Sequence, residues 1–351
     1  MYALGNNYEP LVLVDTSNLS REQWLDYRRK GIGGSDAAAV LAISPFRAAR
    51  DIFYDKLNIA SITNDEGNWV ALKVGNLLED LVAEIFVKKT GLHIYQVKKM
   101  FMHPLHRHML ADTDYLITLP NGKTAVLECK TTNYNAKSHW WEDGKEIVPP
   151  YYEAQGRHYM AVLNVDEVFF CCLYGNSEDD VIIRHIVRDA AYEEELIFVE
   201  EYFWNEYVLT KTPPPCTEDG DVIAASNKRH IGPALLDEPA IQLDDGMAMR
   251  IGQFLRLQKQ KAEVDAIAND LKKKMDRLRA IVAAQMGQCC TACCEIEGVK
   301  YTVTNRPVRK NELKKNNLLR LQIQFPDIYQ TYVTETEYRR FDVKEVKTEA
   351  A

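Results

Sequence analysis

The residues best able to do chemistry lie in one stretch, Ala111-Asp112-Thr113-Asp114-Tyr115-Leu116-Ile117-Thr118-Leu119-Pro120-Asn121-Gly122-Lys123-Thr124-Ala125-Val126-Leu127-Glu128-Cys129-Lys130. Two apolar runs flank Pro120-Asn121-Gly122. Proline suits the first central position of a type I turn, and glycine suits the left-handed position that closes a bulged hairpin. A three-residue loop is therefore expected, pairing Leu119 with Lys123. Counting outward, Asp114 faces Glu128 and Asp112 faces Lys130, whereas a two-residue loop would set Asp114 opposite Cys129. Glu128 and Lys130 are two apart, so they share a face. Two carboxylates side by side in apolar strands repel each other and are costly to desolvate, and a divalent cation removes that cost. Oxygen ligands favour Mg²⁺ or Mn²⁺ over zinc. Such an ion would polarise a phosphodiester and acidify a water, which Lys130 would orient. The competing reading is a surface hairpin with a Glu–Lys ion pair. The apolar Val126-Leu127 before Glu128, and Cys129 after it, argue that one side is buried.

A second chemical feature is Gly31-Ile32-Gly33-Gly34-Ser35, which ends one helical pattern and opens another. A glycine-rich turn leading to a helix N-terminus offers free N–H groups and a favourable dipole to an anion. Arg28 adds a charge-assisted contact suited to phosphate. An ordinary helix–turn–helix connection would have the same composition.

The elements that must position these residues can be read from periodicity. Ser20–Lys30 begins with Ser20 and Gln23 in a capping-box pattern and reads as a short helix. Asp36–Ala42 reads as a second helix with Ser35 as N-cap. Val74–Lys89 carries Leu77, Leu78, Leu81, Val82, Ile85 and Phe86 at helical spacing. His108–Leu119 and Lys123–Thr132 read as strands, Tyr151–Leu163 as a helix, Val168–Tyr174 and Val181–Val187 as strands, and Tyr192–Leu209 as a helix. This order implies an α+β fold with a mixed sheet rather than a doubly wound one. Residues 1–210 form the expected catalytic domain and 211–246 the expected linker, rich in Pro, Gly and Asp. Residues 247–351 form an accessory region: a long helix, Met247–Met286, with Val264, Leu271 and Leu278 seven apart, then a small α+β or hairpin unit.

The totals bound the function. The 351 residues allow about two domains. No apolar run approaches the roughly 20 residues of a membrane span, and Met1–Pro10 does not read as a signal peptide. The eight cysteines read as reduced thiols, so the cytosol is the expected compartment. A net charge of −8 argues against nonspecific coating of nucleic acid but not against a local basic track. Arg256 to Arg279 holds eight Lys/Arg against four Asp/Glu, whereas Asp189 to Glu201 holds six acids and no base.

The motifs, taken in order, resemble the YqaJ-like viral recombinases, relatives of the phage lambda exonuclease within the PD-(D/E)xK nuclease superfamily. The matching segments are Trp24…Arg28-Arg29-Lys30-Gly31-Ile32-Gly33-Gly34-Ser35-Asp36, Gly75-Asn76-Leu77-Leu78-Glu79, Ala111-Asp112-Thr113-Asp114, Leu127-Glu128-Cys129-Lys130-Thr131-Thr132 and Tyr152-Glu153-Ala154-Gln155…His158-Tyr159. They span Trp24–Leu173. The resemblance implies a three-layer core with a central mixed sheet flanked by helices, and a C-terminal helical or coiled-coil extension. It implies a Mg²⁺-dependent exonuclease, Mn²⁺ serving as well, that resects linear duplex DNA ends 5′→3′ for single-strand annealing. Asp114 and Glu128 carry over as metal ligands together with the backbone carbonyl of Cys129. Lys130 carries over as the water-positioning lysine, Glu79 as a helical carboxylate at the metal, and Gln155 as a support of the lysine or substrate. Arg28 and Ser35, with Gly33 and Gly34, match an end-phosphate pocket. Asp112 departs from the lambda-type pattern, where a small hydroxyl residue can stand, and a carboxylate there would tune or pair with Lys130. The implied partners are duplex ends, an annealing protein and further copies in a closed trimer, in the cytoplasm of a bacterial host carrying a phage or prophage. Two rivals remain: a structure-specific endonuclease on the same fold, and a catalytically silent end-binding scaffold. The intact Asp114/Glu128/Lys130 set opposes the second.

Three other groups read as structural. Cys289-Cys290-x-x-Cys293-Cys294 has zinc-like spacing but no second pair follows, so a cysteine-rich helix end or strand is expected. His103, His106 and His108 are expected in a solvated loop. Trp140-Trp141 and Tyr151-Tyr152 either stack on DNA ends or cover the core. Lys272-Lys273-Lys274 is expected on a solvated helix face.

Overall fold

The computed structural model describes residues 8–59, 69–231, 239–309 and 315–334. Contacts divide the chain after residue 232 into two units. In the first unit the strands are β1 (Leu11–Asp15), β2 (Ile32–Gly33), β3 (His93–Tyr95), β4 (Lys99–Met102), β5 (Met109–Ala111), β6 (Tyr115–Thr118), β7 (Thr124–Thr131), β8 (Trp141–Glu142), β9 (Lys145–Glu146), β10 (Glu167–Leu173) and β11 (Val181–Val187). Its helices are α1 (Arg21–Arg28), α2 (Gly34–Val40), α3 (Ala49–Lys56), α4 (Trp69–Thr90), α5 (Pro150–Leu163), α6 (Ala190–Phe203) and α7 (Gly220–His230).

The central sheet has the order β11-β10-β7-β6-β3. Only β10 and β7 are parallel, joined by the α5 crossover, so the sheet is mixed. Alternation along β7 splits its side chains between two layers. Ala125 and Leu127 pack with Val82 and Phe86 of α4, while Val126 packs with Met160 of α5. Glu128 and Lys130 continue the even series. This is the three-layer α+β arrangement expected of the core.

The hairpin register follows from its turn. Leu119 N–H donates to the Lys123 carbonyl at 2.9 Å, and Gly122 has φ +79°. Tyr115 pairs with Leu127 and Thr118 with Thr124, which brings Asp114 next to Glu128. The expected single strand His108–Leu119 is instead two. β5 leaves for a small sheet of order β1-β4-β5-β2, and β6 joins the central sheet. Asp112, Thr113 and Asp114 form the step between sheets, so Asp112 does not continue the ladder opposite Lys130.

Other elements depart locally from expectation. Ser20 and Gln23 form the capping box of α1, but α2 is capped by Gly33, not Ser35. The Asp36 carboxylate reaches back to Gly33 N–H at 3.1 Å, satisfying an otherwise free donor. Two glycines of the turn are required by close approach. A Cβ on Gly31 would lie 2.5 Å from the His108 carbonyl oxygen, and one on Gly34 would lie 2.5 Å from the Tyr159 ring. The stretch 211–246 is not wholly a linker, because it contains α7. Ser226, Arg229 and His230 of that helix converge on the buried Asp51 of α3, which ties α7 to the first unit. The expected helix to Leu209 ends as α6 at Phe203 and continues as a wider turn, Trp204–Leu209.

The second unit consists of α8 (Asp245–Met286), the hairpin β12 (Thr291–Ile296) and β13 (Val299–Thr304), and the helices α9 (Lys315–Gln324) and α10 (Pro326–Tyr332). Val264, Leu271 and Leu278 are all exposed on α8, as are Lys272, Lys273 and Lys274. Cys289 and Cys290 precede β12, and Cys293 and Cys294 lie in it; all four are exposed.

Candidate active site

The step between the two sheets delivers Asp114 to the catalytic strand. Its Oδ2 accepts a hydrogen bond from the Cys129 backbone N–H at 2.9 Å, taking up the donor that β6 no longer meets. Glu128 is buried, and its Oε1 accepts from Lys130 Nζ at 2.7 Å and from Gln155 Nε2. Lys130 Nζ also donates to Gln155 Oε1 at 3.0 Å and lies 4.8 Å over the Tyr152 ring. Gln155 and Tyr152 stand on α5, so the helix over this face of the sheet fixes the lysine from above.

The electrostatics are strained. Burial raises the Asp114 carboxyl well above its usual range, and the Glu128 charge adds to that shift. Burial, Glu128 and Asp80 likewise raise Glu79 on α4. Burial lowers the Lys130 ammonium, but Glu128 and Asp114 outweigh it and the net shift is upward. Three carboxylates thus share one lysine. The second oxygen of Glu128, Oε2, is buried and has no hydrogen-bond partner. Buried acceptors are nearly always satisfied, so this one calls for a ligand. The oxygen donors, the surplus negative charge and the orphaned Oε2 fit a hard divalent cation. Among the described residues no three His, Cys, Asp or Glu side chains converge as a ready-made metal cage. The Cys129 thiol plays no part in this, since burial and Asp114 push it up and keep it neutral.

Arg28, Gly33, Gly34 and Ser35 line a pocket with Trp24, Asp112 and Tyr159. Arg28 Nη2 donates to Ser35 Oγ and, at 2.8 Å, to Asp36 Oδ1. Lys56 of α3, fully buried, donates to Asp36 Oδ2 at 2.7 Å. Asp112 does not meet Lys130: its Oδ2 accepts from Trp24 Nε1 at 2.7 Å, because β5 has turned it into the pocket. Tyr159 joins the two sites. Its hydroxyl accepts from Gln155 Nε2 and donates to the Asp112 carbonyl, both at 3.1 Å.

Asp114, Glu128, Lys130 and Gln155 are therefore brought together, with Glu79 close enough to feel Glu128 and Lys130. Tyr159, Asp36 and Lys56 had no assigned role. Lys56 gave no local signal, being on another helix, while Asp36 followed Ser35 directly and was legible as an acid at a helix start. The histidines differ from expectation: His103 is fully buried, and burial pushes both His103 and His108 down to about 4. Trp140 is buried and covers the core.

Comparison with known proteins identifies the family. The model of the YqaJ-like viral recombinase domain matches residues 23–166. An uncharacterized YqaJ protein of Bacillus subtilis (strain 168) is 31% identical over 339 residues, covering 95% of this chain and 98% of that one. An alkaline exonuclease from Laribacter hongkongensis is 20% identical with a TM-score of 0.45, over 54% of this chain and 94% of that one. A phage-related exonuclease from Haemophilus somnus 129PT is 11% identical with a TM-score of 0.39, over 52% and 96%. With the relative matched along nearly its whole length, the chain belongs to the YqaJ-like viral recombinase family.

Proposed function

We propose that the protein is a metal-dependent exonuclease that resects linear duplex DNA ends, 5′→3′, to expose single strands for annealing. The observation that carries this reading is the buried Glu128 with the half-buried Asp114 beside Lys130, and an orphaned carboxylate oxygen at Glu128. Asp114, Glu128 and the Cys129 carbonyl would hold the cation, with Glu79 completing the carboxylate set. Mg²⁺ or Mn²⁺ bound there supplies Lewis-acid polarisation of a phosphodiester. Lys130, pinned by Glu128 and Gln155, would orient the attacking water through its remaining N–H. Holding the lysine in one rotamer reduces the entropy lost on reaching the reactive geometry. Arg28 and Ser35 receive the terminal phosphate, with the Gly33-Gly34 turn allowing close approach. Tyr159 sets the spacing between that pocket and the catalytic strand, so the end that is read determines the bond that is cut.

The test is degradation of linear duplex, each strand labelled separately, against covalently closed circular duplex, with Mg²⁺ or with EDTA. Loss of the 5′-ended strand from linear DNA alone, abolished by EDTA, is the expected result. Equal cutting of the closed circle would replace this reading with an endonuclease.

A further inference from the structure

Beyond the carboxylate site, the α5 face of the central sheet carries a group of cations and aromatic rings that the chemistry does not use. Lys130 pairs across with Cys172 of β10, and Tyr174 lies two residues further on the same face. The chain past β7 follows β10 for one more step, with Thr132 N–H donating to the Leu173 carbonyl at 2.8 Å. Tyr134 comes four residues after Lys130, within about 13 Å along the chain. Its ring meets Tyr174 edge-on at 5.5 Å. Lys137 Nζ lies 4.3 Å over Tyr174 and 5.4 Å over Tyr134, and the Arg184 guanidinium lies 4.9 Å over Trp141.

Two observations distinguish this surface from core cover. Tyr134 is 67% exposed, so its ring shields nothing beneath it. Arg184 is mostly buried, yet its Nε and Nη2 have no hydrogen-bond partner. Nη2 has only an ion-pair approach of 3.4 Å to Glu146, itself 67% exposed. A lysine ammonium over two tyrosine rings, one of them exposed, in a chain of net charge −8, is a local site for an anion that also presents flat faces. Single-stranded nucleic acid has both properties: every base has a π-face, and every linkage a phosphate.

We propose that Tyr134, Lys137, Trp141, Tyr174 and Arg184 form a binding platform for single-stranded DNA beside the catalytic strand. Bases stack on the exposed Tyr134 ring and phosphates take the ammonium of Lys137, while Trp141 and Tyr174, packed against the core, and the mostly buried Arg184 back them. The proposal rests on the nuclease reading, because resecting one strand of a duplex end leaves the other unpaired close to the site.

Binding of the full chain, in EDTA so that DNA stays intact, is measured by fluorescence anisotropy. The probes are a blunt duplex, the same duplex with a single-stranded 3′ overhang, and a short oligothymidylate. Wild type is expected to bind the overhang about tenfold tighter than the blunt end. Tyr134→Ala should remove most of that preference and Tyr134→Phe should keep it. Lys137→Gln should weaken overhang binding and reduce its salt slope by about one. Equal affinity of wild type for blunt and overhanging duplex, or a full preference in Tyr134→Ala, overturns the platform. If wild type degrades linear duplex with Mg²⁺ but ignores the overhang, the platform alone falls. If it neither binds nor cleaves DNA, the nuclease reading falls with it.

Discussion

The first unit holds two charge clusters, and they differ in how far their buried carboxylates are satisfied. Around Asp36 a single carboxylate is shared by Arg28 at 2.8 Å and Lys56 at 2.7 Å, and Gly33 N–H adds a third bond. Around Lys130 a single ammonium faces Glu128 directly, with Asp114 and Glu79 nearby, and one Glu128 oxygen has no partner. The first cluster is saturated with hydrogen bonds at its buried carboxylate, has a second acid, Asp55, 4.0 Å from Lys56, and sets Arg28 on the wall of a pocket. The second is short of donors and carries surplus negative charge. Buried ions are tolerated when paired, so a surplus marks where charge of the opposite sign is to be received. On the proposed function, the Arg28 pocket would take an anion and the carboxylates a cation. The contrast also separates a cluster that stabilises the fold from one that costs stability.

The largest effect expected from breaking this contrast is at the second cluster. Glu128→Gln should lower cleavage of end-labelled linear duplex by about three orders of magnitude or more while the circular dichroism spectrum is kept. Undiminished cleavage by a folded Glu128→Gln protein would remove the site assignment.

At the first cluster the expected effect is on stability. Asp36→Asn leaves the buried Lys56 without its hydrogen-bonded counter-ion, with only Asp55 at 4.0 Å, and should cost about 3 kcal/mol in urea unfolding. Burial alone would raise the Asp36 carboxyl, but Arg28 and Lys56 outweigh it and hold the group far below its usual range. Its folded pKa is depressed, so its stabilisation is complete above the unfolded carboxylate value of about 3.9 and is lost as pH falls below that. The Asn variant should lack that part of the acid limb. An Asp36→Asn protein as stable as wild type at pH 7 would show that the ion cluster is dispensable.

A smaller effect sharpens the sign of the pocket. Arg28→Ala should lower kcat/KM on 5′-phosphorylated duplex by about tenfold and nearly erase the advantage over 5′-hydroxyl ends. Equal wild-type rates on both ends would make the glycine-rich turn purely structural, as Gly31 and Gly34 already are in part.

The smallest effect is the most discriminating. Asp114→Asn relieves carboxylate repulsion, so in EDTA it should raise the melting temperature by about 2–4 °C, on the order of 1 kcal/mol. Mg²⁺ should raise the wild-type melting temperature but not that of the variant. A lower melting temperature for Asp114→Asn in EDTA would mean that the second cluster is balanced after all.

Much of the site was legible because its determinants are local. Pro120-Asn121-Gly122 sets the loop length, the loop length sets the register, and the register puts Asp114 beside Glu128. The period of a strand puts Lys130 on the same face as Glu128, and the helical period of α4 assigns Val82, Ile85 and Phe86 to the core, although Leu77 and Leu81 of the same pattern are exposed. Each of these follows from residues a few positions apart. What only the tertiary structure decided involves partners far along the chain. β5 leaves for a second sheet, so Asp112 meets Trp24 instead of Lys130. Lys56 neutralises Asp36 from another helix, α7 joins the first unit through Asp51, and His103 is buried rather than solvated. The sheet a strand joins and the distant group that pairs with a buried charge depend on which surfaces pack together. Side-chain period and turn chemistry depend only on the neighbours in sequence, and so are readable from it.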